Sequence, residues 1–341
     1  MGCLQPTLKL SMLRSLPKQK PMTISAKPRV KVEEEILNDF MRILEENKDS
    51  RNPWSKPWTP SSSEGHINFL TGNRYQGMNV IILEMYQFSK GYELPCWIGY
   101  QQAKKEFNCV PRKGSKAARI VRPNPIRIDA KDDNGNPILD KEGNPEFFMK
   151  MTFKGATVFN IADLVGLDDK AQEKLDQKIA SFKTKCVENA RPLAERCKEA
   201  HDRLMIFKDE LEGGLNHGSD SAYYRHDLDS VTMPNREDFK SDEAYLSTLA
   251  HEFSHATGHK SRTNRKWLNN YSQYRPQEEL VAEFSAVLIA NRLQITCDTQ
   301  NHASYLGGWA SRIKDSKNPA QELFKVFAYA SKAANTVLGE A

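Results

Sequence analysis

HEFSHATGH, residues 251–259, decides the reading of this chain. It sets His251, Glu252 and His255 in the HExxH spacing. On an α-helix, residues four apart share a face, so both imidazoles can turn toward one metal ion. Glu252 then stands where its carboxylate reaches a water on that metal. The flanking residues predict the helix. Ser241 is an N-cap candidate, with acidic Asp242 and Glu243 in the first turn. Tyr245, Leu249, Phe253 and Ala256 recur at helical spacing and form a buried stripe. Gly258 stands where a C′ glycine closes a helix. Two buried, hydrogen-bonded histidines would fit the same pattern, and short motifs recur by chance. The neighbouring sequence has to arbitrate.

A catalytic zinc site takes three protein ligands and leaves a fourth position for water. PQEELVAEFSAVLIANRL, from Pro276, predicts a second helix, with proline as its opener. Leu280, Phe284, Val287, Leu288 and Leu293 give it an apolar face. Acids inside such a helix are costly unless partnered. Glu279 and Glu283 are i, i+4 neighbours. With HExxH, this resembles the gluzincins, thermolysin-like enzymes in which a Glu on a second helix completes the metal site. In them an Asp four residues further on orients a ligating His. The resemblance implies Glu279 as third ligand and Glu283 as the carboxylate behind one imidazole, with Glu replacing Asp. The competing reading makes Glu278, Glu279 and Glu283 a solvated acidic face.

His259 is a rival third ligand. Metzincins carry HExxHxxGxxH, and Gly258 holds the glycine position. His259 comes two residues too early to return to the metal, which makes it a loop residue or a group behind the ligands. The six cysteines contain no CxxC and are poor ligands. The expected cofactor is Zn2+, although Mn2+ or Co2+ also suits two imidazoles and a carboxylate. Such a site activates water against a carbonyl, with Glu252 taking and returning the proton. Tyr271, Tyr274 and His302 are candidate donors to the oxyanion. Upstream, SAYYRHDLDSVTMP (221–234) carries Tyr223, Leu228, Val231 and Met233 and predicts a short strand stopped by Pro234. As an edge strand it could take up an extended substrate; an ordinary surface hairpin is the alternative.

The chain's 341 residues leave room for two cores. A composition 39% hydrophobic and 27% charged excludes wholesale disorder. No apolar run reaches the roughly 18 residues of a membrane helix, and the N-terminus lacks a signal-peptide pattern. The expected location is cytoplasmic, with reduced thiols and no membrane partner. Charge is uneven. Residues 1–160 hold 25 Lys and Arg against 17 Asp and Glu, whereas residues 161–341 hold 24 against 27. A basic half thus precedes the acidic half that bears the motif, and the split predicts two functions on two domains.

In the basic half, NPWSKPW presents Trp54 and Trp58 beside prolines. Arg74 follows in NFLTGNRYQG, with Gly72 and Gly77 beside it. Between residues 104 and 127 stand eight cations and one acid, including Lys104, Lys105, Arg112, Lys113 and Lys116. Gly114 lies within that run and Tyr100 just before it. Cations interleaved with aromatics suit a single nucleic-acid strand; a solvated basic face with core aromatics reads the same way. DAKDDNGNPILDKEGNPEFF (129–148) predicts an exposed hairpin, and 168–211 is charged and helical in pattern.

Several segments are together similar to ArdC-type antirestriction proteins. WSKPW (54–58), LTGNRYQGMN (70–79), WIGYQQAKK (97–105), PRKGSKAARI (111–120) and TVFNIADLVGL (157–167) resemble the N-terminal domain. HEFSHATGHKSRTNR (251–265), EELVAEFSAVLIA (278–290), NHASYLGGWASRIK (301–314) and LFKVFAYASKAANTVL (323–338) resemble the C-terminal zincin-like domain. The resemblance implies an α+β protein of two domains. The first is an α+β single-stranded-DNA-binding domain shared with TraC-type plasmid primases, and the second is a metallopeptidase-like domain. The expected division is a basic tail at 1–31, the DNA-binding domain at 32–167, a helical connector at 168–200 and the zincin-like domain at 201–341. The family travels on plasmids and phages and is thought to shield incoming DNA from restriction. The expected partners are single-stranded DNA and an unidentified protein substrate. The alternative is a non-proteolytic DNA-binding antirestriction protein with a structural or vestigial metal site. A plasmid-primase fragment fits less well, since no separate acidic polymerase cluster is evident.

Overall fold

A computed structural model of the protein describes residues 31–46, 65–132, 135–297, 313 and 316–340. Trp54, Trp58, His302 and the basic tail up to residue 30 lie outside them. The first helix, α1 (Val32–Glu46), begins with three glutamates and buries Ile36, Phe40 and Ile43 along one stripe. β1 (Ile67–Asn68) leads to α2 (Met78–Lys90), which Gly91 closes in a left-handed conformation. β2 (Cys96–Ile98), α3 (Tyr100–Phe107), β3 (Cys109–Pro111), β4 (Ala118–Asp129) and β5 (Phe147–Asn160) follow.

One sheet has the order β1-β2-β5-β4, with β1 and β2 parallel and the other pairs antiparallel. β4 and β5 form a long ribbon, in register from Ala118↔Val158 to Asp129↔Phe147. Its base is buried through Ala118, Ile120, Val121 and Val158, while its outer rungs project into solvent. The hairpin expected at 129–148 is the tip of this ribbon, with bridges Lys131↔Pro137 and Leu139↔Pro145. β6 (Leu164–Gly166) pairs with β3, and α4 (Asp169–Glu188) and α5 (Leu193–Lys208) fill the helical stretch.

The C-terminal half opens with β7 (Leu215–His217), β8 (Tyr223–Arg225) and β9 (Ser230–Met233), in the sheet order β7-β9-β8. The single strand expected at 221–234 is thus a hairpin. The chain turns through Asp229, at φ 47°, so Val231 and Met233 are buried while Tyr223 and Leu228 are exposed. Then come α6 (Asp242–Ala256), α7 (Tyr271–Leu293) and α8 (Pro319–Val337). One apolar core spans both halves: the Phe40 ring of α1 meets Phe284 of α7 and Phe327 of α8 edge-on. A smaller core packs Ile98, Phe107 and Leu164 against Leu175 of α4. No helix among the described residues is long and apolar enough to cross a membrane.

Two local expectations change. α7 begins at Tyr271, so Pro276 lies inside the helix rather than opening it. The carbonyl that loses its partner is four residues back, at Ser272, on the exposed first turn where water can satisfy it. Gly258 does stand just past α6, but its φ is not left-handed. Space demands the glycine: a Cβ there would come within 2.8 Å of the Arg265 guanidinium carbon and 2.5 Å of Leu268.

Candidate metal centre

α6 carries the HExxH residues as its sequence pattern predicts. The Ser241 hydroxyl accepts the Ala244 amide at 3.1 Å, and Tyr245, Leu249, Phe253 and Ala256 are buried. α7 packs against it and brings its acids inward, so Glu278, Glu279 and Glu283 are all buried rather than forming a solvated face. The Nε2 atoms of His251 and His255 lie 3.1 Å apart, and each is 3.6 Å from Oε2 of Glu279. Four donors at about 2.05 Å around a tetrahedral ion stand roughly 3.4 Å from one another. The three side chains therefore fit a divalent cation by spacing alone.

The outward ring nitrogens also face carboxylates. Nδ1 of His255 faces Oε1 of Glu278 at 3.2 Å, and Nδ1 of His251 faces Oε2 of Glu283 at 3.6 Å. A carboxylate behind Nδ1 holds the proton there and leaves the Nε2 lone pair for the common point. Glu278 is itself clasped. It accepts from Arg265 Nε at 2.9 Å and Trp267 Nε1 at 2.7 Å, and it pairs with Arg265 Nη2. Arg265 also donates to Thr257 Oγ1 and to the Ser254 carbonyl. The loop after α6 is thereby tied to the carboxylate that orients His255.

Electrostatics point the same way. Burial disfavours a charged His251, yet Glu283 and Glu279 outweigh it and lift the imidazole well above its usual range. His255 is opposed by burial in the same way and raised to about 9 by Glu278 and Glu279. Glu278, despite its burial, is held to about 2 by Arg265 and His255. Glu279 is likewise buried and held well below the carboxylate range by both imidazoles. Carboxylates crowd two rings that prefer to be charged, so the pocket favours a cation at its centre.

Glu252 is 7% exposed and lines the same cleft, which has a volume of about 960 Å³. The other wall is β8, an edge strand of its sheet, continuing through His226 and Asp227. Tyr271 also lines the cleft and donates to Glu279 Oε1 at 3.1 Å. Tyr274 stacks near Trp267 instead and is not among the cleft residues. His259 lies apart, with Nδ1 on the Ser261 hydroxyl at 2.8 Å and 3.9 Å from Asp229. The five described cysteines are buried thiols, none in a disulfide.

Sequence reasoning did not give roles to Glu278, Arg265 and Trp267. The available signal was the Glu278-Glu279 pair leading into the apolar stretch of the helix, since two adjacent buried acids need two different partners. In the basic half, Lys104 and Lys105 are exposed on α3, with Tyr100 40% exposed at its start. Arg112, Lys113 and Lys116 are exposed on the β3–β4 connection and Arg74 on the loop before α2. Gly72, Gly77 and Gly114 all take positive φ, and a Cβ on Gly72 or Gly114 would meet open space.

Comparison with known proteins follows this division. Residues 31–159 match the family described as the N-terminal domain of anti-restriction factor ArdC. Residues 203–325 match the zincin-like metallopeptidase family. The antirestriction ArdC protein of plasmid R388, in its metal-free structure, is 27% identical with a TM-score of 0.59; the alignment covers 91% of this chain and 98% of that one. By sequence and fold, both halves of the chain are similar to ArdC. The Mn(II)-bound structure of the same R388 protein aligns over the same shares at 25% identity and a TM-score of 0.54. Two Escherichia coli proteins described as DNA primase TraC are each 31% identical over 87% of this chain. The chain spans 19% and 26% of their lengths. The protein y4eC of Sinorhizobium fredii is 25% identical over 88% of both chains. ArdC-type architecture thus accounts for both halves, and a metal is at home in a solved relative's structure.

Proposed function

We propose that this chain is an antirestriction protein of a mobile element. In this reading its N-terminal half binds single-stranded DNA, and its C-terminal half is a zinc-dependent peptidase acting on a protein in the cytoplasm. The observation that carries the peptidase reading is the His251–His255–Glu279 triangle beside a buried glutamate in an open cleft. The DNA reading rests on the ArdC N-terminal domain and its exposed cations. The buried thiols without disulfides suit a reducing compartment.

His251, His255 and Glu279 would hold the ion. Zinc held there supplies Lewis acidity, acidifying a water and polarising a carbonyl. Glu283 and Glu278 keep the Nδ1 protons in place, so both Nε2 lone pairs stay aimed at one point. Glu252 takes the proton of the attacking water and passes it to the leaving amine. β8 offers an edge in the cleft on which an extended peptide can add as a strand. The Tyr271 hydroxyl, which donates to Glu279 in the cleft, is a donor available to a developing oxyanion.

Glu252→Gln removes the proton acceptor and leaves the ion's ligands intact. Hydrolysis of unfolded protein by the zinc-loaded variant is expected to fall by about 10² to 10⁴, with zinc affinity unchanged. Full antirestriction protection by a zinc-loaded Glu252→Gln protein would overturn the proteolytic part and favour a structural metal.

A further inference from the structure

The β4–β5 ribbon carries charge and apolar surface that the metal centre does not use. Its two strands hold five cations and one acid; the connection 130–146 holds two cations and five acids. The body of the ribbon is therefore basic and its tip acidic. Antiparallel register places Arg122 opposite Lys154, Ile126 opposite Lys150 and Ile128 opposite Phe148. Directly opposed residues, and those two apart along a strand, share a face. The Asn124 amide donates to Thr152 Oγ1 at 2.9 Å on the rung between, as that face requires. Arg122, Ile126, Phe148, Lys150 and Lys154 thus project from one side of the ribbon, and all five are exposed. Phe148 alone is 54% exposed.

Resting on the single-strand reading above, we propose that this face of the ribbon is a track for single-stranded DNA. Arg122, Lys150 and Lys154 meet the phosphates, and Phe148 offers a ring for base stacking. Three observations favour a nucleic-acid strand. Arg119 and Arg127 of the same ribbon are paired with carboxylates, whereas these three cations have no ion-pair partner among the described residues. Their spacing is linear: Lys150 and Lys154 are about 14 Å apart along the strand and Phe148 about 7 Å beyond, a line that a backbone can follow. The acidic tip repels phosphate, which confines an anionic strand to the rungs and disfavours insertion into an anionic lipid surface. A large exposed apolar surface with unpaired cations is a binding face rather than a solvated one.

The test is fluorescence anisotropy of a labelled oligothymidylate with the full chain at several salt concentrations. Arg122→Gln/Lys150→Gln/Lys154→Gln is expected to weaken binding and to make the slope of log K against log salt shallower by about 2, at roughly 0.7 per phosphate contact. Phe148→Ala is expected to cost about ten-fold in affinity with little change in slope. All four side chains are exposed, so melting temperatures should match wild type. Wild-type binding with unchanged affinity in both variants would overturn the ribbon track and leave its apolar face to a protein partner. Tighter wild-type binding to a duplex of equal length would also overturn it. No binding by wild type would remove the single-strand reading itself.

Discussion

Glu278 and Arg265 sit in the metal centre with 0% and 2% exposure, each satisfied by several partners. Lys150 and Lys154 stand on the ribbon in open solvent. Both regions concentrate charge, but different physics keeps it there. A buried charge without partners costs several kcal/mol, so each charge in the metal centre constrains the next. An exposed lysine costs almost nothing in either state, so folding leaves it free to serve a partner. The candidate metal centre is therefore legible from its own geometry, whereas the ribbon becomes legible only through a partner that complements it.

Breaking the buried side should give the largest effect. Glu278→Gln leaves Arg265 buried with a neutral partner, and a loss of about 3–5 kcal/mol is expected in denaturant unfolding. Arg265→Met combined with Glu278→Gln removes both charges and should recover most of that loss. The double variant still lacks the carboxylate behind His255, so zinc affinity by chelator competition should remain weaker by about 10- to 100-fold. Recovery of both stability and affinity would show that the clasp serves folding alone.

Glu283→Gln tests the second imidazole. Zinc affinity is expected to fall by about 10-fold or more with a smaller stability change, because His251 Nδ1 keeps a weaker acceptor. An unchanged affinity would leave His251 oriented by something else.

Asp229 sharpens the comparison through pH. Burial opposes its charge, but both oxygens face Arg262, and Tyr224 and the Glu212 amide add hydrogen bonds, so its pKa is lowered to about 2. The unfolded value is about 3.9. A depressed carboxylate stabilises the fold above the unfolded value and loses that contribution as pH falls through the folded one. Acid titration of stability should therefore fall between about pH 4 and 2, and Asp229→Asn should flatten that limb.

The smallest effect belongs to the exposed side. Neutralising Lys104, Lys105, Arg112, Lys113 and Lys116 together should change stability by no more than about 0.5 kcal/mol per site. The same variant reports on DNA binding: retained affinity would move the contact from α3 and its following loop to the ribbon.

Much of this contrast was present in the sequence. HExxH, Ser241 and the 245–249–253 stripe specify α6 because each is a local rule obeyed within four residues. Glu279 and Glu283 are expected from the gluzincin resemblance, and both lie buried beside the two imidazoles. Arg265 was not legible, because its role depends on a loop folding back thirteen residues before Glu278, through a space that only Gly258 leaves open. The start of α7 departs from the proline pattern for helix openings because its exposed first turn tolerates the missing amide. The shared core, with Phe40 against Phe284, joins residues too distant for any periodicity to connect.

One divalent ion shared by His251, His255 and Glu279 is the state to detect. Anomalous diffraction at the zinc edge from zinc-soaked crystals tests for it most directly. A single strong peak about 2 Å from both Nε2 atoms and from a Glu279 oxygen is the expected result. A peak bound through His259, or no peak at the triangle under saturating zinc, would contradict the account.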